Sequence, residues 1–295
     1  MGLPEARQPH RQLPLFDLTG KKALVTGGGV GIGRACATAL ALSGVDVAIS
    51  GRTREPAERT CEELRKLGVD AFFVKGDVAK EGEVDEMTAE VVRRFGRLDI
   101  GVNNAGGALP GSALDTSLED WNQVIGSNLT GVFLCARAQA RQMIRQRPAG
   151  GKIINISSMY ATTAGGTASY NASKAAVVHL TRTLAVEWGS QNINVNCISP
   201  GWMLTPANRG ITPELRVRMR EVTPMGSLLR HEDIHGALIY LASAASNFVT
   251  GHDLVVDGGH TLNTWLRPLQ RSVPPRTSPE DEEREFKVDL ENRGL

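Results

Sequence analysis

Cysteine is scarce in this chain: its four copies, Cys36, Cys61, Cys135 and Cys197, lie far apart and form no CxxC pair. Cysteines without metal-ligand spacing are typical of reduced, buried thiols rather than of a disulfide framework or a zinc site. No run of 18 apolar residues occurs either, and the N-terminal stretch MGLPEARQPHRQLP lacks the apolar core of a signal peptide. We therefore expect a cytoplasmic protein with no membrane span and no bound metal.

Excess charge is lacking too, since 33 basic residues face 32 acidic ones and the net charge is +1. This balance argues against binding to nucleic acid or to a membrane surface that is driven by charge. No internal repeat and no Pro/Gly-rich linker occurs before residue 264. We expect an N-terminal extension over 1–14, one catalytic domain over 15–264 and a charged tail over 265–295.

Short β-branched runs alternate with longer segments of helical periodicity. Seven such runs imply right-handed crossovers and a seven-stranded parallel sheet with helices on both faces, an α/β fold. The predicted strands are 22–26, 45–50, 71–74, 98–104, 152–157, 193–199 and 253–257, and the predicted helices are 31–43, 55–67, 81–95, 118–147, 170–189 and 231–244.

The tail has two interpretations. Residues 267–295 contain four prolines and thirteen charged residues, a composition typical of a disordered terminus. The segment SPEDEEREFKVDL also fits a helix capped by Ser278 with Pro279 at its first position. Phe286 and Leu290 would share one face of that helix, which could be buried against a partner subunit.

A glycine loop, TGGGVGIG, covers residues 26–33 between the first predicted strand and the first predicted helix. Glycines at this place let the backbone turn sharply and approach a dinucleotide pyrophosphate at the helix N-terminus. The spacing of Gly27, Gly31 and Gly33 is TGxxxGIG rather than the plain GxGxxG of two-domain dehydrogenases. A glycine motif that joins a strand to a helix is much stronger evidence than the motif alone.

Over about residues 17–263 the chain resembles the short-chain dehydrogenase/reductase family. The resemblance rests on motifs that follow one another in the family's order. They are TGGGVGIG, GDV (76–78), NNAG (103–106), SNLTG (127–131), SS (157–158), YNASK (170–174), PGWMLT (200–205) and DGG (257–259). The resemblance implies a single-domain, doubly wound Rossmann-like fold and hydride transfer between NAD(P) and an alcohol or a carbonyl.

The resemblance also implies which residues hold the cofactor. Asp77 would contact the adenine, Asn104 would line the adenosine side, and Thr205 would contact the nicotinamide carboxamide. The complete expected set is Thr26, Gly27, Gly31, Ile32, Gly33, Arg52, Asp77, Val78, Asn104, Ala105, Gly106, Tyr170, Lys174, Pro200, Gly201, Met203 and Thr205.

The end of the second predicted strand bears on the choice between the two nicotinamide cofactors. Gly51 stands where NAD-preferring members of the family usually carry Asp, and Arg52 follows it. An acidic residue there would repel a 2′-phosphate, whereas a guanidinium suits one. NADP(H) is therefore favoured and NAD(H) remains possible, because Val30 replaces a second basic residue that NADP-preferring relatives often carry.

Tyr170 and Lys174 lie four residues apart at a helix start, on one face of that helix. A free tyrosine has a pKa of about 10, so we expect Lys174, together with an oxidised nicotinamide, to lower the pKa of Tyr170 for general acid/base catalysis. Tyr160 has no lysine four residues later and is expected to line the pocket.

A serine hydroxyl should hold the substrate oxygen. Ser157 and Ser158 compete for this role, and neighbours in a strand point to opposite faces. The strand alignment with the family selects Ser158, although the usual interval of 13 residues before the tyrosine selects Ser157. We favour Ser158. Asn128 matches the family's fourth catalytic position, where it would hold a water that links Lys174 to solvent.

Two other classes of function remain to be weighed. HEDIH (231–235) fits the HExxH pattern of a zinc hydrolase with His231, Glu232 and His235. The next glutamate occurs only at position 280, and the segment lies where the family begins its last long helix. The other alternative is a cofactor-binding regulator without catalysis, against which the presence of Asn128, Ser158, Tyr170 and Lys174 argues.

The substrate is less sharply indicated. Residues 203–228 should form a lid with four arginines that could attract an anion: Arg209, Arg216, Arg218 and Arg220. Neither this segment nor 106–115 has the long apolar stripe that suits an acyl chain or a steroid. The chain most resembles dehydrogenases of polyols, sugars and sugar acids, and a 3-oxoacyl-thioester reductase is the alternative. The family also implies a homo-oligomer, a tetramer or a dimer, formed through 118–147 and 170–189.

Overall fold

The computed structural model describes residues 14–263, 274–275 and 277–294. The predicted extension therefore lies outside the described residues except at its end, and so does part of the tail. The described strands are β1 (Lys22–Thr26), β2 (Asp46–Gly51), β3 (Ala71–Lys75), β4 (Ile100–Asn103), β5 (Gly151–Ile156), β6 (Ile193–Pro200) and β7 (Asp253–Val256). Each coincides with a predicted strand to within a few residues.

All seven strands form one parallel sheet in the order β3-β2-β1-β4-β5-β6-β7. The order reverses at β1, from which the chain winds outward first to one edge and then to the other. This is the doubly wound, Rossmann-like arrangement that the sequence predicts.

The helices cover both faces of the sheet, and the strands supply a separate core to each. In β1, Leu24 packs into one core and its neighbour Val25 into the other, because successive strand side chains point to opposite faces. Three helices cover one face, α1 (Gly31–Leu42), α2 (Arg54–Arg65) and α8 (His231–Ala242), and three cover the other, α3 (Glu81–Phe95), α5 (Gly131–Arg145) and α6 (Ala168–Trp188). Two buried faces explain why the strands are apolar without alternation.

Three helical segments are described in more detail by the structure than by the prediction. The long helix predicted over 118–147 is α4 (Leu118–Ile125), a π-helical turn (Gly126–Thr130) and then α5. The predicted lid contains a helix, α7 (Pro213–Val222). In the tail, α9 (Pro279–Asn292) begins after Ser278, whose hydroxyl accepts a hydrogen bond from Asp281 N at 3.2 Å. The segment therefore forms the helix that one of the two interpretations predicts, and α9 packs on its own chain.

The carboxyl ends of β1, β4 and β5 lie side by side, since Thr26 is paired with Asn103 and Asn103 with Asn155. A buried polar network ties this edge to the helices behind it. Asn103 exchanges hydrogen bonds with Gln139 of α5 and donates to Asn155, which in turn donates to Thr181 of α6. Fully paired buried amides fix the relative positions of strands and helices.

Within the described ranges, no helix combines the length and the apolar character needed to cross a membrane.

Candidate active site

The glycine loop leaves β1 and is held against the loop that follows β4. Thr26 Oγ1 accepts hydrogen bonds from the backbone amides of Asn104 and Ala105, both at 3.0 Å. The Asn104 side chain donates back to the carbonyls of Thr26 and Gly27 at 3.0 and 3.2 Å. Asn104 thus holds the glycine loop against the loop after β4. Val78 is buried against the start of α5.

Glycine is required in this loop for two reasons. Gly27 and Gly31 have positive φ angles of 66° and 55°, which side chains rarely tolerate. At Gly33 a Cβ would lie 2.1 Å from the carbonyl oxygen of Gly27, so α1 could not approach the loop. Gly106 is constrained in the same way, because a Cβ there would lie 2.4 Å from Asn128 Oδ1.

The N-terminus of α1 already binds an anionic group in this structure. Val30 at the N-cap provides no side-chain hydrogen bond, and Gly31 N instead donates to the Asp289 carboxylate at 3.0 Å. Free amides and the helix dipole favour a negative charge at this place. The start of α1 therefore accepts a carboxylate group in this structure.

The remaining cofactor positions surround this loop. Arg52 is exposed just beyond β2 and forms no ion pair within the described part of the chain. A Cβ added at Gly51 would meet no atom within 4 Å. Asp77 Oδ1 accepts from Ala79 N at 3.0 Å, which caps the turn after β3. Ile32 packs against the core at the start of α1.

The segment after β6 reaches the glycine loop from the other side. Pro200 ends β6, and a Cβ at Gly201 would lie 2.8 Å from the Asp257 backbone. Met203 bridges to Leu229. A Cβ at Gly31 would lie 3.2 Å from Thr205 Cγ2, so the expected carboxamide contact is adjacent to the helix N-terminus.

Tyr170 and Ser158 lie together beyond the end of β5. A hydrogen bond joins their side chains, and the Ser158 hydroxyl also accepts from Tyr160 N at 3.2 Å. Ser157 points the other way, is buried, and donates to the Lys174 carbonyl at 2.9 Å. Alternation along the chain therefore puts Ser158, and not Ser157, beside the tyrosine.

Lys174 is buried beneath Tyr170, with Nζ 5.5 Å from the centre of the phenol ring and 2.8 Å from the Ile156 carbonyl oxygen. Burial lowers the pKa of Lys174 to about 8. Burial also raises the pKa of the Tyr170 phenol, and the hydrogen bond with Ser158 lowers it only in part. In the chain alone, desolvation of the phenolate decides the direction of this shift. That Lys174 and an oxidised nicotinamide together lower the pKa of Tyr170 stays a prediction.

Asn128 is fully buried at the middle of the π-helical turn. Its amide group donates to the Gly107 carbonyl and to Ser173 Oγ, at 2.9 and 3.1 Å, and accepts from Gly107 N at 2.9 Å. Ser173 in turn donates to the Tyr170 carbonyl at 2.7 Å. Asn128 is thus linked to the helix that carries Tyr170 and Lys174.

An aromatic row borders Tyr170. The Tyr160 ring is edge-on to Tyr170 and to Trp202, with ring centres 6.3 and 5.6 Å apart. His260 continues the row 6.4 Å from Trp202. Tyr160 therefore lines the site as expected. Trp202 and His260 were missed, although Trp202 lies within the PGWMLT motif.

HEDIH begins α8. The imidazole Nε2 of His231 is 3.1 Å from Asp289 Oδ2, and burial lowers the pKa of His235. Across residues 14–263, 274–275 and 277–294, no three His, Cys, Asp or Glu side chains are grouped to hold a metal ion.

Two of the four lid arginines contact α9. Arg216 pairs with Glu283 and Arg220 with Glu282. Arg209 and Arg218 are exposed.

Comparison with known proteins identifies one matching family and several similar oxidoreductases. The family model described as enoyl-(acyl carrier protein) reductase matches residues 28–261. The chain is 38% identical over 241 residues to a 3-oxoacyl-(acyl-carrier-protein) reductase of Staphylococcus epidermidis, a match that covers 81% of this chain and 98% of the relative. It is also 39% identical over 259 residues to a sorbose reductase of Candida albicans. That match covers 86% of this chain and 91% of the relative.

Among solved structures, the fold is similar to a gluconate 5-dehydrogenase from Burkholderia cenocepacia in complex with NADP and tartrate. The TM-score is 0.80 and the sequence identity is 38%, and the match covers 84% of this chain and 98% of the other.

The burial of Lys174 has a consequence that can be measured. Its pKa is about 8 in the folded protein and about 10.4 in an unfolded chain. Between these values the unfolded state binds more protons, so the contribution of Lys174 to stability rises with pH. From about pH 7 to about pH 10 we expect the wild type to gain roughly 1–3 kcal/mol in unfolding free energy relative to Lys174→Met. Urea unfolding at several pH values tests this.

Lys66 is exposed, and Lys66→Met is the control. The difference in unfolding free energy between this variant and the wild type should be the same at every pH. A difference between wild type and Lys174→Met that does not vary with pH would contradict the lowered pKa.

Proposed function

Because this chain belongs to the short-chain dehydrogenase/reductase family and is an oxidoreductase of alcohols or carbonyls, we propose that it acts on a polyol, a sugar or a sugar acid. The observation that carries the proposed mechanism is the grouping of Ser158, Tyr170 and Lys174 at the same edge of the sheet as the glycine loop. When bound, the nicotinamide cofactor would supply or accept the hydride. The residues of the chain would hold the substrate and move the proton.

Tyr170 is the proposed general acid/base. Its raised pKa keeps the phenol protonated near neutral pH, and this is the form that donates a proton to a carbonyl oxygen as the carbon is reduced. Ser158 would hold the same oxygen through its hydroxyl group. In this protonated form Tyr170 can act as the acid in the reducing direction, and the same group would act as the base in the oxidising direction.

Lys174 and Asn128 are the proposed positioning and proton-relay residues. With a pKa of about 8, Lys174 can change its protonation state near physiological pH, which suits a group that returns a proton to Tyr170. Asn128, through Ser173, would fix the helix that carries both residues and would hold the water that connects Lys174 to solvent. No direct hydrogen bond joins Asn128 to Lys174 among the described residues, so this relay requires a bridging water.

NADP(H) is the proposed cofactor, with NAD(H) as the alternative. The pyrophosphate would lie at the N-terminus of α1, bounded by Gly27, Gly31 and Gly33. The exposed guanidinium of Arg52, next to the open space at Gly51, supports binding of a 2′-phosphate. The gluconate 5-dehydrogenase structure that this fold resembles contains NADP, which agrees with this choice.

The substrate assignment draws on the pocket and on the relatives. The row of Tyr160, Trp202 and His260 offers aromatic faces with polar edges, which suit a compact polar substrate better than a long acyl chain. A sorbose reductase and a gluconate 5-dehydrogenase are among the relatives. The 3-oxoacyl reductase relative keeps a 3-oxoacyl thioester as the second candidate.

We also propose that the protein is a homo-oligomer, a dimer or a tetramer. Val186 on α6 and Leu118 on α4 are large apolar side chains that are 85% and 74% exposed. Apolar side chains on these helices would be buried by the four-helix contact that the family uses.

Tyr170→Phe removes the proposed acid while it keeps the ring. We expect kcat to fall by roughly 10²–10⁴-fold, because the proton transfer is lost. The measurement follows NAD(P)H absorbance with a panel of polyols, ketoses, sugar acids and 3-oxoacyl thioesters. Turnover of thioesters alone would replace the proposed substrate with the second candidate, and cofactor binding without any turnover would support a non-catalytic regulator.

The two neighbouring serines form a matched pair for a second test. Ser158→Ala should lower kcat by roughly 10²–10³-fold, because a donor to the substrate oxygen is lost. Ser157→Ala should instead lower the unfolding free energy by about 1 kcal/mol through its bond to the Lys174 carbonyl, with a much smaller effect on kcat. The reverse order of kcat losses would assign the catalytic role to Ser157.

Substitutions at the end of β2 test the cofactor. Arg52→Gln should weaken NADPH binding about tenfold with little effect on NADH, because a charge-assisted contact to the 2′-phosphate is lost. Gly51→Asp fits without a clash and should reverse the preference toward NADH. Fluorescence titration gives each Kd, and Arg145→Gln, an exposed arginine on α5, is the control. Equal losses for NADH and NADPH at Arg52 would remove its assigned role.

A further inference from the structure

The C-terminal helix α9 packs over the site that the proposed function assigns to the cofactor. Its apolar face is Phe286, which is buried with Leu204, Met219 and Leu228, while Leu290 packs at the edge of this cluster. These partners belong to the segment after β6 and to the predicted lid. The helix is therefore attached to the elements that border the candidate active site.

Acidic side chains on α9 match basic and amide groups around it. Glu282 accepts hydrogen bonds from Leu228 N at 2.8 Å and from Arg220 Nε at 2.7 Å, and Glu283 pairs with Arg216. At the other end of α9, Arg59 of α2 donates to the Asn292 carbonyl, with Nε at 3.1 Å. Buried, hydrogen-bonded ion pairs of this kind define one orientation of the helix.

The decisive contact is Asp289. Its side chain is fully buried, although aspartate is almost never fully buried unless it is paired. One carboxylate oxygen accepts from Gly31 N at 3.0 Å and lies 3.1 Å from His231 Nε2, and the other lies 3.6 Å from Arg34. The carboxylate thus takes the amide at the start of α1 that a pyrophosphate would need.

We propose that α9 is an autoinhibitory segment of this chain: Asp289 occupies the pyrophosphate position at the glycine loop, and NADP(H) binds only after α9 has left. The inference rests on the proposed function, since it needs the glycine loop to be a cofactor site. The Asp289 carboxylate and the pyrophosphate would need the same Gly31 amide and would repel each other, so the helix and the cofactor compete. The apparent Kd for the cofactor is then the intrinsic Kd divided by the fraction of molecules with α9 undocked.

The first test compares two charge-removing substitutions on the same helix. Asp289→Asn keeps the side-chain shape but loses the attraction of Arg34 and His231, whereas Glu291→Gln removes one charge from an exposed position. We expect Asp289→Asn to bind NADPH at least about fivefold more tightly than wild type, and Glu291→Gln to bind like wild type. Phe286→Ala, which removes the apolar contact, should also tighten binding. NADPH fluorescence titration of the full chain gives each Kd.

Hydrogen exchange of the wild-type chain provides a readout that depends on neither variant nor turnover. The amides of 280–292 should exchange slowly in the free protein and quickly once NADPH is bound, because cofactor binding displaces the helix. The titrations are repeated at two protein concentrations. An unchanged Kd supports docking within one chain, and a Kd that rises with protein concentration overturns it in favour of exchange between subunits.

The proposal is overturned if α9 stays protected in the NADPH complex, or if Asp289→Asn and Phe286→Ala both bind NADPH like wild type. Failure of the wild type and of both variants to bind NADPH or NADH would instead contradict the proposed function itself.

Discussion

The unpaired backbone amides at the start of α1 are the constraint on which the rest of the site depends. A helix that begins without a side-chain cap needs an acceptor from elsewhere, and Val30 provides none. The glycines bring the backbone close enough for an anion to reach these amides, and Thr26 and Asn104 keep the loop in place. In this structure Asp289 supplies the acceptor from the far end of the chain.

A second property of the site is that burial favours uncharged side chains. The pKa of Tyr170 is raised and that of Lys174 is lowered, each by desolvation. Both residues are thereby shifted toward their neutral forms. Lys174 Nζ also donates a hydrogen bond to the Ile156 carbonyl at 2.8 Å.

Local sequence signals predicted the strands, the glycine loop and the Tyr170–Lys174 pair, because periodicity and short spacings report on neighbours along the chain. The serine assignment was harder, since strand alignment and loop length gave different answers, and only the direction of each side chain separates Ser157 from Ser158. The π-helical turn left no recognisable pattern within 118–147. The Gly31–Asp289 contact joins residues 258 positions apart. The N-cap residue and the apolar face of α9 predicted that this segment is a helix. A local sequence pattern does not predict which part of the fold a helix packs against.

The four cysteines have a consequence of a different kind. All are buried free thiols, and desolvation raises the pKa of Cys36, Cys61 and Cys135 to about 12. Since only the thiolate attacks oxidants and alkylating reagents, these sulfurs are chemically silent while the fold is closed. They become reactive only when a strand or helix opens. The rate at which an added maleimide reacts with them would therefore measure how often each of the two cores opens, without any engineered label.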